Sequence, residues 1–215
     1  MKAFALAAAV LFAGSAFAQS TCHVTAFAGA VRGQAQQIHS SGQPITDDFE
    51  LSGSTAGLGV GCDWLYGGTW FSGFDADLAS ADITGEGRDF PDIGPTVTSG
   101  ARIDGLATLR VRIGKQVSQA FSLYATAGAG FARARATVAA DDGRSFSDTQ
   151  KLYGAALGGG VEARLTKALS ARLEYLFFKF AKQSFFNPPP PVLADRGGGL
   201  DPELHVLRLG LSLNF

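Results

Sequence analysis

The chain has 215 residues and a net charge of −1, and 46% of its residues are hydrophobic, with 17 Phe alongside 28 Gly. This near-neutral charge argues against a nucleic-acid ligand, because phosphate backbones favour basic surfaces. The Gly residues follow no three-residue period, which excludes collagen, and beyond the N-terminal segment no stretch stays apolar for about 18 residues, which excludes a helical membrane protein.

The N-terminal segment has the parts of a secretory signal peptide in their usual order. Lys2 supplies a positive charge, residues 3–13 are apolar, and residues 16–18 (AFA) match the small-x-small cleavage signal. The apolar run is shorter than the roughly 20 residues that a helix needs to cross a bilayer. We therefore predict that residues 1–18 are a cleaved signal peptide and that residues 19–215 form one exported domain.

Period-two alternation of side chains dominates the mature chain and predicts β-strands. In the last segment, for example, Leu207 and Leu209 alternate with Arg208. The first segment alternates more weakly, and there Phe27 and Val31 are the candidates for the outward face. The eight predicted strands lie near residues 22–34, 56–64, 70–78, 103–113, 121–138, 152–165, 170–180 and 205–215.

The links between these segments alternate in length. Short links lie near residues 65–69, 115–120 and 165–169. Long links lie near residues 35–54, 84–102, 139–150 and 184–203. Short periplasmic turns and long external loops are typical of outer-membrane barrels. The pattern therefore predicts an all-β fold, an eight-stranded antiparallel up-and-down transmembrane β-barrel in the outer membrane of a Gram-negative bacterium.

The apolar strand faces are predicted to point to lipid and the opposite faces into the lumen. The opposite faces carry mostly Gly, Ala and Ser with a few charges, whereas a water-facing surface would carry many Lys and Glu. Charges inside such a narrow lumen must be paired, and Arg pairs well with carboxylates. We predict a salt-bridge network that plugs the lumen rather than a catalytic site. Its predicted members are Asp63, Asp75, Asp77, Asp104, Arg110, Arg112, Glu162, Arg164, Arg172, Glu174 and Arg208.

The two cysteines are candidates for a disulfide. Cys22 begins the first strand and Cys62 lies near the end of the second, so antiparallel pairing brings them to the same end, near bonding distance. The alternation raises a conflict, because counting from Phe27 turns Cys22 inward while Cys62 turns outward. A bulge would reconcile the two, and a pair of free buried thiols is the alternative.

Two hairpins resemble those of a known family. Residues 99–131 and the hairpin that follows are similar to the small outer-membrane β-barrel proteins, especially the alphaproteobacterial porin-like surface antigens and the OmpA-type barrel. The first matching motif consists of Thr108, Arg110, Arg112, Gly114, Leu123, Tyr124, Gly128 and Gly130. The second consists of Gly158, Gly160, Glu162, Arg172, Glu174 and Tyr175. The closing strand, which ends at Phe215, also resembles the family's last strand.

The resemblance implies an eight-stranded barrel whose terminal Phe215 is the signal read by the barrel-assembly machinery. It does not imply a single activity, because the family includes membrane-stabilising proteins, surface antigens, adhesins and narrow pores. We expect a non-enzymatic barrel that contacts outer-membrane lipid and lipopolysaccharide. Arg133 and Arg135 have the lipid-facing parity near the external rim, where they either bind lipopolysaccharide phosphates or reach water as solvated, snorkelling side chains. The long external loops, one of which contains the proline run of residues 187–191, are the expected surface for a host or extracellular ligand.

Two alternatives remain open at this point, a narrow pore and an enzyme that modifies lipid A. Barrel enzymes of the latter kind in other families use a His/Ser apparatus, for which this chain could offer His39, Ser80 and Asp82. The three His residues are scattered along the chain, so neither a metal site nor a cofactor is predicted.

Overall fold

A computed structural model describes residues 20–39, 49–88, 97–140, 143–185 and 198–215 and shows a closed antiparallel barrel. Its strands are β1 (Ser20–His39), β2 (Phe49–Tyr66), β3 (Trp70–Arg88), β4 (Val97–Gln116), β5 (Phe121–Ala140), β6 (Ser145–Arg164), β7 (Leu169–Phe180), β8 (Gln183–Ser184) and β9 (Gly198–Asn214). Consecutive long strands pair with each other, and β1 pairs with β9 to close the ring. The predicted eight-stranded up-and-down barrel is confirmed, with β8 as a two-residue addition to the edge of β9. No helix in the described ranges is long and apolar enough to cross a membrane.

Three tight connections define one end of the barrel, which we call the turn end. Gly67 and Gly68 form the first with φ angles of 61° and 80°, a backbone region that favours glycine. In the second, the Ser118 hydroxyl accepts a hydrogen bond from the backbone N–H of Phe121 (3.1 Å). Thr166 repeats this arrangement in the third connection, and such side-chain bonds to the backbone stabilise turns. The opposite end is the loop end.

The strands extend further toward the loop end than the sequence predicts. Strand β5 ends at Ala140 and β6 begins at Ser145, so the prediction of a long loop near residues 139–150 is wrong. Likewise, β1 runs to His39 and β2 starts at Phe49, inside the link expected near 35–54. The sequence pattern did not predict these longer strands, because the apolar and the polar side chains exchange faces about halfway along the barrel.

Near the turn end, the outward face is apolar and exposed. Leu58, Leu109 and Leu209, for example, are 62%, 57% and 66% exposed. On β5 this belt runs from Phe121 to Phe131, which matches the roughly 9–11 residues of a transmembrane strand. An outward surface of this kind is stable against lipid and unfavourable against water.

Near the loop end, the two faces exchange character. The inward side chains form an apolar core that includes Val31, Leu51, Ile83, Leu152 and Leu204, each at most 1% exposed. The outward positions are instead polar and exposed, as in a water-soluble barrel. They include Arg32, Gln34, Glu50, Ser52, Asp82, Thr84, Arg102, Arg133, Arg135, Thr149 and Lys151.

This arrangement overturns the predicted orientation of the first strand. Phe27 and Val31 are 7% and 1% exposed and point inward, whereas Val24 on the opposite face is 40% exposed. The ring of Phe27 packs under the guanidinium of Arg208, 4.1 Å from its Cζ. Phe27 therefore covers a lumen cation, and Val31 belongs to the apolar core.

Candidate functional site

The middle of the lumen holds a cluster of four buried charges, which we call the central cluster. Arg110 on β4 donates hydrogen bonds to Asp77 on β3 (2.6 Å) and to Glu174 on β7 (3.0 Å). Arg208 on β9 donates to the same two carboxylates, at 2.7 and 2.6 Å. Two guanidiniums thus match two carboxylates, the pairing that makes charge burial tolerable.

A second group, the turn-end cluster, lies one layer closer to the turns. Arg112 lies 3.0 Å from Asp63 and 3.1 Å from Glu162. Arg172 lies 2.9 Å from Glu162 and 3.5 Å from Asp75. The rings of Phe71 and Tyr124 flank the Arg112 guanidinium at 5.0 and 4.5 Å. His23 completes the cluster with Nε2 2.9 Å from Oδ1 of Asp75.

Glycines on neighbouring strands make room for these side chains. The direct cross-strand pairs are Gly59 with Asp77, Gly61 with Asp75, Gly73 with Asp63, Gly128 with Arg110, Gly160 with Glu174, Gly210 with Arg172 and Gly29 with Arg208. At Gly61, a Cβ atom would lie 2.5 Å from Oδ1 of Asp75 and 2.6 Å from Nε2 of His23. The Gly content that stands out in the sequence is therefore part of the charge packing.

All the predicted lumen residues except Asp104 and Arg164 belong to the two clusters. The predicted network lacks two members, His23 and Tyr124, whose hydroxyl donates a hydrogen bond to Glu174 (3.1 Å). His23 was not predicted because the sequence pattern assigned Phe27 to the outward face of β1, and His23 shares the face of Phe27. With Phe27 inward, His23 points into the lumen as well. Tyr124 is part of the family motif and alternates with outward-facing residues on β5, so the sequence pattern already indicated that its side chain points into the lumen.

Asp104 is not in the lumen, because a β-bulge changes the alternation of β4. The register of β4 against β5 shifts between Ile103 and Gly105, so inward residues have odd numbers above the bulge and even numbers below it. Asp104 lies at the shift and is partly exposed, with Oδ1 3.6 Å from Nε of Arg133 on the outer wall. Strict alternation from Arg110 misplaces it.

Arg164 has the inward parity but is the last residue of β6, where the wall ends. Its side chain is exposed and lines the opening of a cavity at the turn end, instead of joining the buried ion pairs. A guanidinium that reaches water needs no buried carboxylate.

The cysteines are directly opposite each other in the β1–β2 ladder, and their Sγ atoms are bonded. With Phe27 inward, Cys22 turns outward like Cys62, so the conflict in the alternation disappears and no bulge is needed. Cys22 also exchanges backbone hydrogen bonds with Phe215, at 3.0 and 2.9 Å. Strands β9, β1 and β2 are therefore joined at one level of the turn end.

The residues suggested for an enzyme do not come together. The ladders place Ser80 level with Ala56 and Ala28, whereas His39 is eleven residues farther along β1. At about 3.3 Å per residue this separates them by roughly 36 Å. Asp82 is exposed on the outer wall and is paired with Arg102 (2.9 Å). Among the described residues, no group of three or more His, Cys, Asp or Glu could hold a metal ion.

Four cations form what we call the basic wall patch on the outward face of β4–β6, above the apolar belt. Its members are Arg102, Arg133, Arg135 and Lys151. Arg102 lies directly opposite Arg135, and Arg133 lies directly opposite Lys151. Just below the patch, the rings of Phe131 and Tyr153 pack edge to face at 5.8 Å. The patch thus lies at the edge of the lipid-facing surface, next to an aromatic pair of the kind found at membrane interfaces.

Two predicted features lie outside the described residues, the signal peptide of residues 1–18 and the proline run of residues 187–191.

Comparison with known proteins places the chain among outer-membrane barrels. OprG from Pseudomonas aeruginosa is 14% identical with a TM-score of 0.54, covering 91% of this chain and 96% of OprG. The outer membrane protease OmpT from Escherichia coli is 9% identical with a TM-score of 0.56, covering 95% of this chain and 99% of OmpT. Ail of Yersinia pestis, solved with the heparin analogue sucrose octasulfate, is 12% identical with a TM-score of 0.43, covering 90% and 99%. No curated protein sequence matches the chain.

The likenesses to OprG and OmpT show a shared fold and carry no activity with them, because both proteins are far below 25% identity. A family model identifies the family as well as the fold, since it describes an outer membrane protein beta-barrel domain and matches residues 4–215. That match includes every described strand. The chain therefore belongs to the outer membrane protein β-barrel family.

Proposed function

We propose that the protein is a non-enzymatic barrel of the bacterial outer membrane whose upper wall and external loops form a contact surface. The reversal of the two faces carries the proposal. Below it, an apolar belt suits lipid and the charges point inward, and above it the strands continue for about nine residues with a polar outer face. At a strand tilt near 40°, this extension raises the loop end roughly 20 Å above the belt.

The filled interior argues against the alternative of a narrow pore. The central cluster crosses the lumen from β4 to β7, with Arg110 1% exposed, and the apolar core lies directly above it. A solute would have to break several buried ion pairs to pass. We expect no discrete conductance steps from the purified protein in planar bilayers, and regular single-channel steps would favour the pore.

Lipopolysaccharide is the partner that the basic wall patch fits best. Like charges directly opposite each other on a sheet are destabilising, and this patch contains two such pairs. Among the described ion pairs, Asp82 pairs with Arg102 and Asp104 pairs with Arg133, so the four cations of the patch outnumber these two carboxylates. Arg binds phosphate through charge-assisted hydrogen bonds, and the patch lies at the level where the phosphates of a surrounding lipid would lie.

The experiment compares the wild type with an R102Q/R133Q/R135Q variant, reconstituted in vesicles with and without lipopolysaccharide. The urea midpoint of the wild type should rise when lipopolysaccharide is present, and the triple variant should lose most of this gain. K115Q serves as the matched control, because Lys115 is an exposed outward cation at the turn end. An equal gain for the wild type and the triple variant would contradict the proposed partner.

The proposed absence of an enzymatic role can be tested on lipid A. Lipid A should keep its acyl chains when the protein is expressed, and mass spectrometry that finds an altered acyl pattern would support the enzyme alternative.

The external loops are the proposed site of a host or extracellular ligand. Phe215 is the proposed signal for the barrel-assembly machinery, so F215A should lower the amount of folded protein in outer-membrane fractions.

A further inference from the structure

A cavity of about 390 Å³ lies inside the barrel at the turn end. It lies below the turn-end cluster and is lined by Thr21, Asp63, Leu65, Phe71, Arg112, Gln116, Ser122, Glu162, Arg164, Lys167 and Asn214. In outer-membrane barrels the short turns face the periplasm, so the cavity opens toward periplasmic solutes. Its volume is in the range of small-molecule sites.

Two side chains that line this cavity, Asp63 and Arg112, contain buried atoms that make charge contacts but no hydrogen bond. These atoms are Oδ1 of Asp63 and both Nε and Nη1 of Arg112, whose side chain is 1% exposed. Nε and Oδ1 are 3.0 Å apart, but the geometry is that of a charge contact and not of a hydrogen bond. Unsatisfied buried polar groups are uncommon, so this side of the cavity is incompletely hydrogen-bonded.

The charges around the cavity are separated into a floor and a rim. At the floor, two carboxylates line the cavity, Asp63 and Glu162, but only one guanidinium does, that of Arg112. At the rim, Arg164 and Lys167 are exposed cations. The floor therefore favours a cationic group, and the rim favours an anionic group.

The strand geometry sets the distance between the two regions. Glu162 and Arg164 are two residues apart on the same face of β6, which separates their Cα atoms by roughly 7 Å. A ligand that meets both must carry opposite charges several bonds apart. The side chains of Gln116 and Asn214 add amides that can bind a polar group between the two charges.

We propose that this cavity binds a short zwitterionic peptide of dipeptide size on the periplasmic side of the barrel. The ammonium group lies against Asp63 and Glu162, and the carboxylate accepts hydrogen bonds from Arg164 and Lys167. The central cluster and the apolar core close the lumen above the site, so the ligand binds and leaves by the same opening. This site is independent of the basic wall patch, which lies on the outer surface near the other end.

The test uses the full protein in detergent micelles, with alanyl-alanine as the probe in isothermal titration calorimetry. Two matched probes each lack one charge, N-acetyl-alanyl-alanine without the ammonium and alanyl-alanine amide without the carboxylate. We expect saturable binding of the zwitterion at millimolar concentration and affinities about tenfold weaker for both blocked forms, the effect of losing one good charged contact.

Variants locate the binding. R164Q/K167Q changes exposed side chains that take no part in the buried clusters, so the barrel should fold, and its affinity for alanyl-alanine should fall about tenfold. R102Q/R135Q removes two cations from the outer wall and should bind the probe like the wild type. Absence of saturable binding would mean a water-filled vestibule and would overturn the proposal. Equal affinity for the blocked probes, or for R164Q/K167Q, would overturn it as well.

Discussion

Arg110 on β4 reaches across the lumen to Glu174 on β7, with Nη1 and Oε1 3.0 Å apart. The two residues are 64 positions apart in the chain, and their side chains are 1% and 5% exposed. Arg208 and Asp77 complete this arrangement. An ion pair that crosses the lumen holds β4 and β7 together, so its loss should lower the free energy of unfolding of the whole barrel.

We expect Arg110→Ala to lower the free energy of unfolding by roughly 3–5 kcal/mol, because it leaves Glu174 and Asp77 with one excess buried negative charge. Urea titration of the protein in vesicles, followed by the heat-modifiability of its gel mobility, measures the change. Arg135→Ala is the control, since Arg135 is exposed on the outer wall and should shift the midpoint little. An unchanged midpoint for Arg110→Ala would refute the network.

The glycine opposite Asp75 provides a second prediction. Gly61→Ala should destabilise the barrel by about 1–3 kcal/mol, because the new methyl group would overlap the Asp75 carboxylate and the His23 ring. Gly100→Ala is the matched control, as its added Cβ would have no atom closer than 3.9 Å. The same urea titration compares the two. If Gly61→Ala is as stable as Gly100→Ala, the glycines are not needed to seat the charges.

The pairing of Cys22 with Cys62 predicts a covalent link between β1 and β2. The link closes a loop with a sequence separation of 40, so C22S/C62S should lose roughly 2–4 kcal/mol through the greater freedom of the unfolded chain. Urea midpoints measure this loss. Alkylation of the unfolded protein before and after reduction, read as a gel shift, checks the bond itself. Thiols that react fully without reduction would disprove the link.

The boundary between the lipid-facing belt and the polar wall can be tested by adding a charge on each side of it. Leu209→Arg on the outward face of β9 should destabilise the barrel in vesicles by about 2–4 kcal/mol, as expected for Arg near the centre of a bilayer. Ser52→Arg on the outward face of β2, in the polar region, should cost almost nothing. Equal effects of the two changes would place the boundary elsewhere.

The sequence alone was sufficient for the architecture near the turn end. Period-two alternation with Arg and acidic residues on the small face located Arg110, Arg112, Arg172 and Glu174 in the lumen. This worked because a strand surrounded by lipid has only one stable orientation, with its apolar face outward. Each such strand therefore carries its own orientation in its pattern, without reference to its neighbours.

Three features depended on the tertiary structure. The orientation of Phe27 follows from its contact with Arg208 on another strand, because the outward residues around it, such as Ala26 and Ala28, are too small to mark a face. The position of Asp104 follows from a bulge that only the register between β4 and β5 reveals. The polar outer wall above the apolar belt could not be predicted from the sequence either, because its assignment also depends on where the residues lie in the closed barrel.

Above the belt the surroundings change from lipid to water, and the same alternation then requires the opposite assignment of faces. A local pattern of apolar and polar residues predicts which side chains share a face, and the sequence of this chain determined that much for every long strand except at the bulge in β4. Whether that face meets lipid, water or the lumen depends on the height of the residue in the closed barrel. Only the pairing of all eight long strands sets that height.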